Sequence, residues 1–214
     1  MILIDILSIH IPKTGGTSFY NILHQVYEDQ LSTSYKRKDI QEILNNGQTL
    51  VTSLEEEIKV LHGHFYYEEI RFIHETSNAK IICWLRDPIK RILSNYRHFI
   101  QRNSGSEPIQ QNQHRITETL LEYANLEENK NRMSKFMKGI DLEALFFIGF
   151  LETFQRDVDT LASMLDWPHF KTPILNSSQL TDFQVSKKEL QILRELNKDD
   201  IELYNKVIRI AHKS

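Results

Sequence analysis

The sequence predicts an α/β fold built on a central, mainly parallel β-sheet flanked by helices. Short apolar, β-branched segments alternate with longer segments in which apolar residues recur at helical spacing. Several of the short segments are apolar on both faces, as strands buried in a parallel sheet are. The chain has 214 residues, a length typical of one domain, and we expect residues 1–214 to form a single one.

The first half of the chain predicts three strands and three helices. Residues 2–11 are apolar and β-branched, and Pro12 with the pair Gly15 and Gly16 ends this first strand. Apolar residues at helical spacing then predict a helix over 17–30. Further strands are predicted at 58–62 and 80–85, and helices near 39–44 and 66–74, with the rest of 31–57 as loop.

The second half opens with a helix whose start is marked by its own residues. Asp87 suits the N-cap and Pro88 the first helical position, and the helix runs to about residue 102. The polar stretch 103–114 predicts a mobile surface loop. The remaining predicted elements are helices at 115–124 and 128–138, a strand at 144–150, a helix at 154–165, an irregular stretch at 168–184, and helices at 186–196 and 198–211.

Composition excludes several classes of protein. The 26 basic and 29 acidic side chains give a net charge of −3, so we expect no nucleic-acid partner, and any anion must be bound by a local cluster. The single cysteine excludes an intrachain disulfide and favours a reducing compartment. No apolar stretch approaches the ~20 residues of a transmembrane helix. We therefore expect a cytoplasmic protein, and the sequence predicts no oligomeric state.

The first motif lies between the first strand and its helix, where residues 10–19 read HIPKTGGTSF. Backbone amides and the helix dipole meet at such a junction, and glycines let an anion approach closely. Lys13 adds a cation, while Thr17 and Ser18 add hydroxyl donors. The motif predicts a phosphate cradle, although it is not the Walker pattern, in which the lysine follows the glycines. A plain turn with a capping Thr or Ser is the alternative.

The second motif spans residues 84–94, which read WLRDPIKRILS. Arg86 follows a predicted strand at the end where open α/β sheets bind ligands. Ser94 lies about two turns along the next helix, so both side chains can address one anion. Further positive charge on this helix comes from Lys90, Arg91, Arg97 and Arg102. A solvated basic helix, with Arg86 in a structural ion pair, is the alternative.

The third motif is the sequence His62-Gly63-His64 at the end of a predicted strand. Two histidines could bind a metal, but no cysteine or acidic residue follows at ligand spacing, so we expect no metal site. His62 suits a structural role. We expect His10 to pack beside the glycine loop and His98 to line a cleft on the helix that follows Arg86.

Together these motifs resemble those of the sulfotransferases that use 3′-phosphoadenosine 5′-phosphosulfate (PAPS). PKTGGTSF is similar to their 5′-phosphosulfate loop, and RDPIKRILS to their 3′-phosphate motif R-D-P-x-x-R-x-x-S. The sequence most resembles the carbohydrate sulfotransferases of the heparan sulfate and uronyl 2-O type and their bacterial homologues. The resemblance extends in order through HGH, NKNRMSKFMKG, FIGFLETFQRDVDTLASMLDW and LNKDDIELY.

The resemblance implies a P-loop NTPase-like, three-layer fold and a bacterial enzyme that moves a sulfuryl group from PAPS to a hydroxyl. It implies 3′-phosphoadenosine 5′-phosphate (PAP) as product, a carbohydrate or glycoconjugate as acceptor, and no required metal. It makes Lys13 and His64 catalytic, with His64 as base. The residues that it assigns to donor binding are Lys13, Thr14, Gly15, Gly16, Thr17, Ser18, Arg86 and Ser94.

Two other functions remain open at this stage. In a P-loop kinase or NTPase, Asp87 would be the magnesium ligand after a Walker B strand, but the order of Lys13 and the glycines disfavours this. A non-catalytic nucleotide- or glycan-binding relative has no reason to keep Lys13, His64, Arg86 and Ser94 together.

The acceptor is the least predictable partner. Its contacts are expected from the segments 31–57, 66–78, 103–116 and 170–185. Their basic residues include Lys36, Arg37, Lys38, His114, Arg115, Lys171 and Lys187. Such residues suit an acidic glycan but equally a solvated surface, and the acidic total disfavours a long heparin-like track.

Overall fold

The computed structural model describes residues 4–50, 57–103, 115, 117–143, 145–172 and 184–211. Contacts divide the chain into two compact units. The first unit comprises Met1–Leu85 and Lys135–Leu175, and the second comprises Arg86–Ser134 and Asn176–Ser214. Each unit therefore draws on two separate segments of the chain. The expectation of a single domain stays a prediction.

A five-stranded sheet forms the centre of the first unit, with strand order β2-β3-β1-β4-β5. The strands are β1 (Ile6–Ile9), β2 (Leu31–Ser34), β3 (Val60–Gly63), β4 (Lys80–Leu85) and β5 (Phe147–Phe150). All four pairings are parallel. The predicted α/β class with a parallel central sheet is confirmed.

The register aligns the carboxyl ends of the strands along one edge of the sheet. Ile9 lies opposite Gly63 on one side and Cys83 on the other, and Ser34 lies opposite Gly63. Because the strands are parallel, the segments that follow β1, β2 and β3 emerge side by side. This is the edge at which open α/β sheets bind ligands.

Nine helices occur in the described residues. They are α1 (Gly16–Tyr27), α2 (Arg37–Asn45), α3 (Tyr67–Thr76), α4 (Pro88–Asn103), α5 (Leu120–Asn125), α6 (Arg132–Phe136), α7 (Phe154–Met164), α8 (Lys187–Leu196) and α9 (Lys198–Ala211). Over the described ranges, none combines the length and apolar character that a bilayer crossing needs.

The core of the first unit lies between one face of the sheet and helices α1 and α7. Successive strand residues point to opposite faces, and Ile6, Val60 and Ile82 share the face that meets these helices. The helices contribute Phe19, Ile22, Leu23, Phe154, Val158 and Leu161 to the same buried cluster. This packing anchors both ends of the loop between β1 and α1.

The strand β2 corrects the prediction that 31–57 is loop apart from a short helix. Leu31–Ser34 pairs with β3 alone and is the edge strand of the sheet. Its sequence LSTS has a single apolar residue, Leu31, which packs against the core, so no alternation of apolar and polar residues marks it as a strand. The short helix is present as α2, and residues 51–56 lie outside the described ranges.

Most other predicted elements are confirmed with shifted ends. The first strand is confined to β1, and the predicted helices at 115–124 and 128–138 shorten to α5 and α6. Thr119 starts α5 with a capping box, and the left-handed φ of Asn131, +47°, interrupts the second helix. The predicted mobile loop at 103–114 lies outside the described residues beyond Asn103.

Asp87 starts α4 as the sequence predicts. One of its carboxylate oxygens accepts a hydrogen bond from the amide of Lys90 at 2.8 Å, the geometry of an N-cap. This bond satisfies one of the amides that the first helical turn leaves without a backbone partner.

A buried ion pair joins distant segments of the second unit. Arg91 and Asp200 are both fully buried, with 3.8 Å between Nε and Oδ2. Arg91 also donates to the Asn129 carbonyl at 3.1 Å. Asp200 accepts the amides of Met133 and Ser134 at 3.1 and 2.8 Å. The sequence predicts that Arg91 adds positive charge to its helix, and this prediction is wrong. Arg91 is buried and neutralises Asp200.

Replacing Asp200 should destabilise the protein strongly. Asp200→Ala leaves a buried guanidinium without its counter-ion and two amides without an acceptor, and we expect the free energy of unfolding in urea to fall by about 3–5 kcal/mol. Asp200→Asn, which keeps an amide acceptor, should lose less. Asp199 is the exposed neighbour of Asp200, and Asp199→Ala should lower the free energy of unfolding by under about 1 kcal/mol. Equal losses for Asp199→Ala and Asp200→Ala would contradict this role of the ion pair.

Candidate functional site

The loop between β1 and α1 is held by its own backbone and by β3. The His10 amide donates to the Gly63 carbonyl at 2.8 Å. The buried Thr14 hydroxyl donates to the Ile11 carbonyl at 2.8 Å. Lys13 adopts a left-handed φ of +73°, which is unusual for a residue with a side chain. The loop is thus fixed before the helix begins.

Helix α1 begins without a side-chain cap. Gly15 is its N-cap residue, has a φ of +97°, and provides no side-chain hydrogen bond. The first turn of α1 contains no acidic residue. Thr17 is exposed and Ser18 half-buried at this end. An N-terminus with these properties presents amide donors and the positive end of the helix dipole, which together favour an anion.

Gly16 is required by the packing of His10. A Cβ atom at Gly16 would overlap the imidazole of His10. The sequence interpretation assigned both glycines to the close approach of an anion, whereas the structure gives Gly16 this additional, steric reason. Gly15 is favoured by its positive φ, and a Cβ there would lie 2.8 Å from a methyl group of Leu151.

Three histidines and a tyrosine pack together at the carboxyl ends of β1, β2 and β3. The ring of His10 stacks on His62 with 5.1 Å between centroids and lies 4.5 Å from His64. Tyr35 meets His64 edge-on at 5.1 Å. The Ser8 hydroxyl lies 2.7 Å from Nδ1 of His62. Among the described residues, no three His, Cys, Asp or Glu side chains form a group that could hold a metal ion.

Two of these histidines are uncharged at neutral pH. Burial, followed by the proximity of His62, His64 and Lys13, lowers the pKa of His10 to about 2. Burial, followed by the proximity of His64, lowers the pKa of His62 to about 3. The cluster can therefore lie beside the cationic Lys13 without adding repulsion.

His64 is half-buried and is held by the segment that follows β2. Its amide donates to the Ser34 carbonyl at 2.7 Å. Its Nδ1 lies 3.1 Å from the Tyr35 carbonyl. Since a carbonyl oxygen can only accept, Nδ1 carries the proton and the lone pair is on Nε2. This tautomer leaves Nε2 as the nitrogen that can take up a proton.

Arg86 and Ser94 belong to the second unit. Arg86 is half-buried and directly follows β4 in the chain, and Ser94 lies on α4 with 7% of its surface exposed. His98 is exposed and lines a cavity of about 210 Å³ in this unit, together with Arg102 and Arg115. Arg115 is paired with Glu118 at 2.7 Å, and His114 lies outside the described residues.

The structure therefore brings together the loop containing Lys13 and the histidines 10, 62 and 64, all within the first unit. Sequence reasoning missed Tyr35 and Glu69, and it gave Arg37 only as a basic residue that could contact the acceptor. All three contact His64 or its neighbours. No motif marks these residues. Tyr35 and Arg37 follow an edge strand that the sequence does not reveal, and Glu69 lies 32 positions after Arg37, its partner.

The close contact between Gly16 and His10 predicts a suppressor pair. Gly16→Ala should lower the melting temperature, because overpacking costs about 1–3 kcal/mol. Adding His10→Ala removes the ring that the new methyl group meets. We therefore expect the double variant to melt above Gly16→Ala alone in thermal unfolding. A double variant that loses the sum of both single effects would contradict this packing.

The low pKa values of His10 and His62 predict a loss of stability in acid. Both imidazoles have an ordinary pKa near 6.5 when unfolded, so the unfolded chain binds more protons below that pH. The part of the free energy of unfolding that depends on these neutral imidazoles is fully present above pH 6.5. It falls as the pH is lowered toward about 3, by up to about 1.4 kcal/mol per pH unit for each histidine. Urea unfolding at about pH 7.5 and about pH 5 should show a larger drop in the wild type than in His62→Gln. Equal drops in the wild type and in His62→Gln would refute the low pKa of His62.

Solved sulfotransferases share this fold. The sulfotransferase from Alicyclobacillus acidocaldarius is 14% identical, with a TM-score of 0.56 over 99% of this chain and 97% of that one. Mouse sulfotransferase SULT7A1, solved in complex with PAP, is 13% identical, with a TM-score of 0.51 over 90% of this chain and 62% of the mouse chain. At these identities the neighbours show the fold alone, and they confirm the predicted P-loop-like architecture.

A sequence comparison with protein families extends the likeness. No curated protein matches the chain significantly. The model of the sulfotransferase family matches residues 4–206, which include β1, the glycine loop and all nine described helices except the end of α9. The protein belongs to the sulfotransferase family.

Proposed function

We propose that the protein transfers a sulfuryl group from PAPS to a hydroxyl of a carbohydrate or glycoconjugate, with Lys13 and His64 as catalytic residues. The observation that carries this proposal is the uncapped start of α1, which shares one edge of the sheet with His64. The family implies a sulfuryl donor of this nucleotide class. PAP is the nucleotide bound to the mouse neighbour.

The 5′-phosphosulfate would bind at the start of α1. Its hydrogen-bond donors would be the backbone amides of Gly15, Gly16, Thr17 and Ser18. The side-chain hydroxyls of Thr17 and Ser18 would add two more. The Thr14 hydroxyl already donates to Ile11, so Thr14 would contribute its amide. Lys13 would stabilise the charge that grows on the bridging oxygen as the sulfur–oxygen bond breaks.

The 3′-phosphate would bind to Arg86 and Ser94. The guanidinium fork suits a terminal phosphate, and Ser94 supplies a hydroxyl about two turns along the following helix. Binding at this distant group would hold the reactive end of the donor in place, so that remote binding energy assists the reaction.

The transfer would proceed by in-line attack on sulfur. The acceptor oxygen forms a bond to sulfur while the bond to the bridging oxygen breaks, and PAP leaves. The acceptor proton moves to Nε2 of His64, whose Nδ1 proton is directed at the Tyr35 carbonyl. The residues described here need no metal for this step, since Lys13 and the loop amides serve the leaving group.

Two alternatives are less well supported. A P-loop kinase or NTPase would use Asp87 for magnesium, but this carboxylate accepts the Lys90 amide as an N-cap. A non-catalytic relative would not need His64 in a defined tautomer. The net charge of −3 favours a small or weakly charged acceptor over a long acidic polymer.

The cell compartment is also part of the proposal. Cys83 is the single cysteine and is buried, and burial raises its pKa to about 12. A chain with no disulfide is compatible with the bacterial cytoplasm. The bacterial assignment rests on the resemblance to bacterial homologues.

Isothermal calorimetry tests the donor. We expect wild-type protein to bind PAP without added metal and more tightly than ATP with magnesium, because ATP lacks the 3′-phosphate that is proposed to bind Arg86 and Ser94. Lys13→Ala should fold normally and bind PAP more weakly. Selective binding of ATP with magnesium would overturn the proposed function in favour of a kinase or NTPase.

Transfer of radiolabelled sulfate from PAPS into bacterial glycan and lipid extracts tests the chemistry. Lys13→Ala and His64→Ala should each lose about 10²–10⁴-fold in rate, as removal of an electrostatic group or base does. His169→Ala, which removes an exposed imidazole outside the candidate site, is the matched control and should keep its rate. Near wild-type turnover by His64→Ala would eliminate this histidine as the base.

A further inference from the structure

We propose that Arg37, paired with Glu69, is a positioning residue that holds His64 in its reactive orientation. The inference rests on the proposed function, because it takes His64 as the base. Arg37 touches neither donor nor acceptor in this role and acts through the peptide of His64. Sequence reasoning instead counted Arg37 among the basic residues that could contact an acidic acceptor.

The first contact is a two-pronged ion pair. Arg37 is the first residue of α2, and its Nη1 and Nη2 donate to the two carboxylate oxygens of Glu69 at 2.7 and 2.6 Å. The side chains are only 27% and 15% exposed. The hydrogen bond with Glu69 raises the pKa of Arg37. The charge of Arg37 is thus neutralised within the protein.

The second contact is with the backbone of His64 itself. Nη1 of Arg37 also donates to the backbone carbonyl of His64 at 3.2 Å. The same guanidinium stacks over the ring of Tyr66 at 4.4 Å. Glu69 in turn accepts the Tyr66 amide at 2.8 Å, which starts α3. The pair therefore braces the short connection between β3 and α3 in which His64 lies.

A single segment, residues 34–37, holds His64 on three sides. The carbonyls of Ser34 and Tyr35 accept the amide and Nδ1 of His64, and Arg37 donates to its carbonyl. Gly63 lies against the Ser34 carbonyl so closely that a Cβ atom there would overlap it. The peptide between Gly63 and His64 is held by the His10 amide and the Ser34 carbonyl, and Arg37 holds the next peptide through the His64 carbonyl.

Arginine is suited to this task in a way that lysine is not. The guanidinium uses three hydrogen bonds in one plane, two to Glu69 and one to His64, while its face covers Tyr66. A lysine ammonium keeps the charge but lacks the planar fork. Arg37→Lys should therefore behave as a partial loss rather than as a conservative change.

The test is a double-mutant cycle in sulfuryl transfer between Arg37 and His64. Arg37→Ala should lower kcat about 10- to 100-fold, because small displacements of a catalytic group are costly, while the Kd for PAP stays within about twofold. The kcat of Arg37→Lys should lie between those of the wild type and Arg37→Ala. In a His64→Ala background, Arg37→Ala should cause no further loss, because the two residues act as a unit.

A matched control separates this role from general destabilisation. Arg156 on α7 is 74% exposed and forms an ion pair with Asp157 at 3.0 Å, so Arg156→Ala removes an arginine of the same unit without touching His64. It should leave kcat unchanged. Melting temperatures of all variants, measured in parallel, show whether each is folded at the assay temperature.

Nitrogen NMR of the His64 ring gives a readout that does not depend on activity. In the wild type Nδ1 should be protonated and Nε2 not, and Arg37→Ala should shift the ring toward a mixture of tautomers. Unchanged tautomer populations, an unchanged kcat for Arg37→Ala, or equal losses in both backgrounds would each overturn the inference. Failure of the wild type to bind PAP would instead refute the proposed function, and full activity of His64→Ala would refute the base.

Discussion

The pairing of the edge strand β2 with β3 is the constraint on which the candidate site depends. At its last register position Ser34 lies opposite Gly63, and the absence of a side chain there lets the Ser34 carbonyl approach the backbone. The segment that follows β2 can then reach His64 from several directions. A weakly apolar strand at the edge of the sheet thus determines the orientation of the one half-buried histidine of the cluster.

The histidine cluster shows how polar side chains can pack tightly beneath a charged loop. His10 and His62 are buried and neutral, and they fill the space between the strand ends and the start of α1. Hydrophobic residues of the same size would fill it as well, but imidazoles also offer ring nitrogens to partners such as Ser8. Because neither ring is charged, Lys13 remains the main cation of the loop.

Local signals explain which parts of the fold and site the sequence predicts. The loop between β1 and α1 and the junction of β4 with α4 are encoded by adjacent glycines, a proline and an N-cap, and these predictions are confirmed as structure. Strand β2 has no such signal, since it pairs with β3 alone and only Leu31 of its four residues is apolar. The contact between Arg37 and Glu69 spans 32 positions, and helical periodicity could not reveal that Arg91 is buried against Asp200. The roles assigned to Lys13, His64, Arg86 and Ser94 stay predictions.

The buried pair between Arg91 and Asp200 also orders events during synthesis on the ribosome. Helix α4 emerges long before α9, and until α9 is made, Arg91 has no counter-ion and the start of α6 lacks its acceptor. The second unit therefore cannot complete its packing as its first segment leaves the exit tunnel. The first unit also waits for its second segment, which supplies β5 and α7. Vectorial folding is thus deferred in both units until their later segments have been translated.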